Sequence, residues 1–185
     1  AAKKKETTTI AVPYEPTEDS GKPVVEWNVD ETLAYLKKAA GEKKRNDFKL
    51  TQACRYLTQL CTKGNSDLGI PNAAEEVLSK SGLDVIFEVM GSSSADPAIQ
   101  MSCCAAVVVM CTNPAAKVHK ATINGVIFLE AGLKAQLKLR PYVILALNAV
   151  CNFCHNNPTH RGMALETDIV AAIIAAMDHH RGQTE

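Results

Sequence analysis

From its N-terminus the chain shows no helical alternation of apolar and polar residues until residue 28. Thr7-Thr8-Thr9, Pro13, Pro16, Gly21 and Pro23 punctuate residues 1–27, with too few apolar side chains to fold alone. A helical period opens at Asn28-Val29-Asp30-Glu31. There Asn28 can cap the first free amides, and Glu31, three residues on, can reach back as in a capping box. Leu33, Leu36 and Ala40 mark an apolar stripe, and Gly41 supplies a stop. Further on, Leu83, Ile86, Phe87 and Met90 repeat at three and four, as do Ile169, Ile173 and Met177, which predicts buried helix faces. Ile173-Ile174 between pairs of Ala leaves few polar positions, so the last helix is expected to be covered on two sides. The chain divides into an extended N-terminal tail, 1–27, and an all-α region, 28–185. Val24, Val25 and Trp27 are expected to dock on the first helix, and Pro13, Tyr14 and Pro16 to run along a partner protein.

Three apolar stretches end alike. Ala53 to Cys61, Cys103 to Cys111 and Ala146 to Cys154 superimpose so that the three terminal cysteines coincide. Leu60 then meets Met110 and Phe153, and Leu57 meets Val107 and Val150. The intervals are 50 and 43 residues. A second landmark follows each stretch and opens another apolar helix: Ser81-Gly82-Leu83, Asn124-Gly125-Val126 and Thr167-Asp168-Ile169. Gly125 and Asp168 stand 14 residues beyond the preceding Cys, and Gly82 stands 21 beyond its own. One seven-residue insertion near Lys63–Gly69 accounts for both differences. A period in the low forties made of paired or tripled helices belongs to α-solenoids, in which each unit needs its neighbours to bury a core.

The wording of these units resembles the armadillo-repeat family. Asp96-Pro97-Ala98-Ile99-Gln100 is similar to the opening of such a repeat, and Val150-Cys151-Asn152-Phe153 to the leucine-x-asparagine-leucine close of its small-residue helix. Asn157-Pro158 with Arg161 and Met163, and Lys117 with Ile123 to Val126, resemble the turn that follows. The resemblance spans about residues 47–180. It implies a short, right-handed, armadillo-like α-solenoid of three degenerate repeats behind an N-terminal capping helix. Two departures stand out: Asp168 replaces the expected Gly in the last repeat, and only the third repeat carries the Asn, Asn152. The family implies protein partners, and includes cytoskeletal, ciliary and nuclear-import members.

Composition agrees with packed helices. Aromatic residues make up 5% of the chain, too few for most sheet proteins. Seven cysteines, an odd number mostly set in apolar stretches, read as small core residues in a reducing compartment. No run reaches the ~18 uncharged apolar residues of a membrane helix, and the first ten residues are polar and cationic. Membrane insertion and export are therefore not expected, and the cytoplasm is. The formal charge is zero, so no global field favours nucleic acid. The middle of the chain is locally basic through Lys37, Lys38, Lys43, Lys44 and Arg45. Lys43, Lys44 and Arg45 read as a solvated helix end and turn, or as a candidate docking point for an acidic protein tail or a phosphate-bearing ligand. No aromatic side chains interleave with them, so nucleic-acid binding is not expected.

One segment offers chemistry. Cys151-Asn152-Phe153-Cys154-His155 matches the pattern of covalent haem attachment, with Met163 or His160 as a further axial ligand. Cys151, Cys154, His155 and His160 also contain the ligand types of a zinc site. Cys154, however, falls on the position shared with Cys61 and Cys111, where no second Cys or following His exists. Structural zinc also prefers two separated ligand pairs around a loop. No cofactor is therefore expected, and a metal- or haem-binding redox protein centred on 151–155 is the alternative reading. No nucleophile elbow, phosphate loop or dinucleotide glycine motif occurs. The expectation is a non-enzymatic binding or scaffold subunit of a larger protein assembly, cytoskeletal or axonemal by fold analogy.

Overall fold

Asn28 fixes where the first long helix begins. Its Oδ1 accepts from the Glu31 amide at 2.8 Å, while Glu31 Oε2 accepts from the Asn28 amide at 2.7 Å. This is the reciprocal cap expected from the sequence, and helix α1 (Val29–Gly41) runs from it to the predicted glycine stop. The computed structural model describes residues 23–62, 73–113 and 123–182. Among them all regular structure is helical: α2 (Asp47–Thr62), α3 (Ala73–Ser79), α4 (Gly82–Ser92), α5 (Pro97–Thr112), α6 (Ile123–Ala135), α7 (Arg140–Cys154), α8 (Pro158–Leu165) and α9 (Ile169–His179) follow α1. The predicted insertion near residues 63–69 and the segment holding Lys117 lie outside the described residues.

Local chemistry starts the helices. Asp96 accepts from the amides of Ala98 and Ile99 at 2.8 and 3.0 Å, and Pro97 occupies the first turn of α5, where no amide is needed. Asn157 caps α8 in the same way, ahead of Pro158. Gly82, at the start of α4, lies against the backbone of α3; a Cβ there would stand 2.7 Å from the Val77 carbonyl oxygen. Upstream of α1, Val24 is buried and Trp27 lies half-buried against Tyr35, ring centroids 5.1 Å apart, while Tyr56 donates to the Trp27 carbonyl at 2.9 Å. Trp27 therefore docks on α1 as expected, whereas the short 3-10 turn over Val24–Glu26 packs on α2, burying Val24 and pointing Val25 to solvent.

Two rows of helices build the body. In one, α2 packs on α5 and α5 on α7; in the other, α1 packs on α4, α4 on α6 and α6 on α9. Contacts between α1 and α2, α4 and α5, and α6 and α7 join the rows. Leu36, Leu57, Leu83, Ile86, Ile99 and Met110 lie in the core between them. Burial of such side chains stabilises by about 1.5–3 kcal/mol each, offset by chain entropy. The α2–α5 contact is close because its residues are small: the Cys54 and Cys103 sulfurs approach to 3.8 Å, both fully buried. Cys103 and Cys104, adjacent on α5, face different neighbours, Cys54 of α2 and Tyr142 of α7 respectively. Phe87 of α4 meets Phe153 of α7 edge to face at 5.6 Å, and Phe153 in turn stacks on His160 of α8 at 3.9 Å.

The last helix departs from the expected pattern. Ile169 is buried and Ile173 half-buried, but Met177, expected in the core, is 62% exposed. Val170 and Ile174 are 47% and 55% exposed, so within the described residues α9 is covered on one side only. The reason is its place at the end of a row, with α6 and α8 on one flank and no described element on the other.

Candidate protein-binding surface

Each helix of the α2–α5–α7 row turns its flanks to its neighbours and its inner side to the second row, which leaves one outward stripe per helix. On α2 the stripe holds Phe48, Arg55 and Gln59, all exposed. On α7 it holds Ile144, Asn148 and Cys151, also exposed. Between them lies α5, whose half-buried Met101, Ala105, Val108 and Val109 repeat at helical spacing. From Pro97 to Thr112 this helix contains no charged residue. A helix apolar all round is suited to burial, and α5 has a buried inner side, two buried flanks and an open fourth side. The result is an uncharged central strip with Arg55 on one border and Asn148 and His155 on the other.

Asn152 of α7 donates its side-chain amide to the Val108 carbonyl at 3.2 Å. It thereby ties α7 to α5 beneath this strip.

The Cys-x-x-Cys-His segment is dispersed by the end of α7. Cys151 points outward with the exposed stripe. Cys154 is half-buried, its thiol 3.9 Å from the His160 carbonyl oxygen. Burial, and secondarily Cys151, push that thiol upward against a smaller opposite pull from Arg161, which disfavours the thiolate that nucleophiles and metal ligands require. His155 is exposed beyond the helix, its Nε2 3.0 Å from the Asn156 amide. His160 is only 2% exposed, lies flat on Phe153, and directs Nδ1 to the Phe153 carbonyl oxygen at 2.9 Å. Since that oxygen can only accept, Nδ1 carries the proton. Met163 is half-buried against the core. Among the described residues no three His, Cys, Asp or Glu side chains converge on a point that could hold a metal ion.

The basic cluster also separates. Lys43 and Lys44 are exposed between α1 and α2. Arg45 instead turns inward, its side chain 14% exposed. Its guanidinium donates to the Ser92 hydroxyl and carbonyl at 3.0 Å each, to the Ser93 hydroxyl at 2.7 Å, and to Asp47 at 2.8 Å. A cation there satisfies the free carbonyl end of α4, a structural task that the sequence hid because Ser92 is 47 residues away. Pro13, Tyr14 and Pro16 lie outside the described residues.

The exposed apolar stripe on α9 was not foreseen. Its spacing is that of a core helix, and only the position at the end of a row distinguishes it. No helix among the described residues is long and apolar enough to cross a membrane. Compared with family models, with curated proteins and with solved structures, the chain matches none.

Proposed function

We propose that this chain is a non-enzymatic protein-binding or scaffold subunit, built as a short armadillo-like α-solenoid and working through the outward face of α2, α5 and α7. The observation that carries the reading is the charge-free α5, held at the centre of its row with Met101, Ala105, Val108 and Val109 left half-covered. The two rows support a solenoid reading, because stacked like-with-like helices are how repeat units bury a shared core. The setting proposed is a cytoplasmic assembly, of cytoskeletal or axonemal type by fold analogy. The partner's contribution is an apolar segment that covers the α5 strip, with polar contacts at Arg55 and Asn148 on the rim.

A photo-cross-linking residue placed at Val109, with mapping of the products in native material, tests this. Adducts to one defined neighbour, abolished by Ala105→Glu, are expected. An equal yield from exposed positions on α1 would overturn the assignment of the face. Metal analysis and a visible spectrum of the purified protein address the alternative. Stoichiometric zinc or a haem Soret band would displace the scaffold reading in favour of the Cys151–His155 segment.

A further inference from the structure

We infer that Cys151 and Cys154 form a reversible oxidation site, which a hydroperoxide converts to an intrachain disulfide at the end of α7. The site stands apart from partner docking on the α2–α5–α7 face and does not depend on it. Of the seven cysteines, these two alone are not buried: Cys151 is exposed and Cys154 half-buried. Redox-sensitive thiols have this layout, an accessible sulfur beside a second one that resolves it. The sulfurs of Cys54 and Cys103 lie 3.8 Å apart, but both are fully buried and shut off from an oxidant. Burial pushes the Cys154 thiol up and Cys151 adds to that push, so the two thiols of α7 lie within electrostatic reach of one another.

Cys154 is the last residue of α7 and Cys151 stands three before it. Helical geometry sets their Cα atoms about 5 Å apart, inside the roughly 4.4–6.8 Å range of a disulfide. Their Cβ atoms, about 5–6 Å apart on a regular helix, must close to about 3.5–4.5 Å. In mid-helix the flanking turns resist that movement, but the end of α7 permits it. There the His155 amide bonds back three residues to the Asn152 carbonyl, and the Asn157 amide to the Cys154 carbonyl, each at 3.3 Å. Closure over three residues is the 3-10 pattern, in which side chains at i and i+3 approach eclipse. Asn156 follows in the left-handed region, φ 53°, so the chain leaves the helix at once. With hydrogen peroxide as oxidant the chemistry balances. The Cys151 thiolate attacks one peroxide oxygen, the O–O bond breaks, and a sulfenic acid and hydroxide form. The Cys154 sulfur then attacks the sulfenic sulfur, gives up its proton and displaces hydroxide, which leaves as water. Two thiols lose two electrons and two protons, and one peroxide becomes two waters. Closure draws the Cys154 thiol off the His160 carbonyl oxygen, 3.9 Å away, and leaves an exposed, readily reduced bridge of the transient kind found in reducing compartments.

Titration of the reduced full chain with hydrogen peroxide, read by intact mass and peptide mapping, tests the inference. Loss of two hydrogens is expected, with Cys151 and Cys154 both refractory to alkylation until dithiothreitol restores them. Cys154→Ser should instead leave a sulfenic acid on Cys151 that dimedone traps. Cys151→Ser should slow oxidation of Cys154 about tenfold or more, because the accessible nucleophile is gone. Circular dichroism should show the helices of both variants intact. Four outcomes would overturn the proposal: a folded chain that loses no hydrogens, a bridge that forms only once urea is added, a bridge between Cys54 and Cys103 in its place, or a Cys151 sulfenic acid that accumulates in the unsubstituted chain while Cys154 stays free.

Discussion

Phe87 of α4 occupies the space that a side chain at Gly125 of α6 would need: a Cβ built on Gly125 would stand 2.5 Å from its Cε2. The relationship is reciprocal. A Cβ on Gly91 of α4 would stand 2.6 Å from Cε1 of Phe128 on α6. Each helix presents a glycine to the other's ring, which draws the two backbones together at the centre of their row.

The two glycines should not be equally sensitive to substitution. Phe87 is fully buried and held edge-on by Phe153, so it has no room to retreat. Phe128 is half-buried and can turn outward. Gly125→Ala should therefore destabilise by about 1–3 kcal/mol through overpacking, and Gly91→Ala by less. Phe87→Leu in the Gly125→Ala background should recover part of the loss. Urea denaturation of the four proteins checks the order, and equal losses at both glycines would refute it.

Gly132 of α6 faces two buried polar atoms, Tyr142 Oη and Gln100 Oε1; Gln100 Oε1 has no hydrogen-bond partner among the described residues, and the Tyr142 hydroxyl faces the weakly hydrogen-bonding Cys104 thiol. The Gln100 amide is engaged elsewhere, donating to the Met90 carbonyl at 2.7 Å. A Cβ on Gly132 would collide with the Tyr142 hydroxyl and stand 2.9 Å from Gln100 Oε1. Tyr142→Phe removes a hydroxyl whose neighbour is only the weakly hydrogen-bonding Cys104 thiol and should change stability by less than about 1 kcal/mol in either direction. Gly132→Ala should cost about 2 kcal/mol or more. The double variant should be more stable than the sum of the two, a positive coupling that thermal melting can read. Strict additivity would mean that the hydroxyl does not fill that space.

The seven cysteines test the burial pattern directly. Cys151 is exposed and Cys154 half-buried, while the other five are buried. A thiol reagent should label Cys151 rapidly, Cys154 slowly and the remaining five only on unfolding. Cys111→Asp, which buries a charge between helices, should cost several kcal/mol and melt the domain, on the order of the penalty for an unpaired buried carboxylate. Cys151→Asp should be tolerated, and Cys111→Ala should be mild by comparison. Equal tolerance of the two Asp variants would overturn the burial assigned to α5.

Burial also predicts a specific alkaline instability. Desolvation pushes the thiols of Cys61, Cys104 and Cys111 up to about 12, in Cys104 against a smaller opposing pull from the Tyr142 hydroxyl. The folded protein therefore keeps protons that the unfolded chain releases above the ordinary thiol range, about 8.5–9. Stability is fully present below pH ~9 and falls as pH rises towards 12, by about 1.4 kcal/mol per pH unit for each such thiol. Cys104→Ala should reduce that slope by about one thiol's share, provided a reductant is present. A denaturation midpoint that stays flat between pH 8 and 10.5 would contradict the buried thiols.

Much of the architecture is local, and therefore legible in the chain. The Asn28–Glu31 cap and the Asp96-Pro97 start each depend on groups within four residues of one another. The apolar stripe of Leu83, Ile86, Phe87 and Met90 is buried as its spacing requires, because a helix at mid-row is covered wherever it is apolar. Adjacent cysteines on α5 diverge for the same geometric reason, the turn of about 100° per residue.

What only the tertiary structure decided is which faces find a neighbour. Arg45 and Lys44 are consecutive basic residues, yet one closes the end of α4 and the other faces water, because Ser92 and Ser93 come within reach of only one of them. His155 and His160 follow the same pair of cysteines, but the end of α7 and the cap at Asn157 send one outward and stack the other on Phe153. Met177 has the spacing of a core residue and lies exposed, since periodicity specifies an apolar face and is silent on what covers it. Sequence pattern determined the helices and their inner faces through contacts a few residues apart. The ends of the rows, the open strip on α5 and the uncovered stripe on α9 follow from contacts between helices tens of residues apart, which no local pattern encodes.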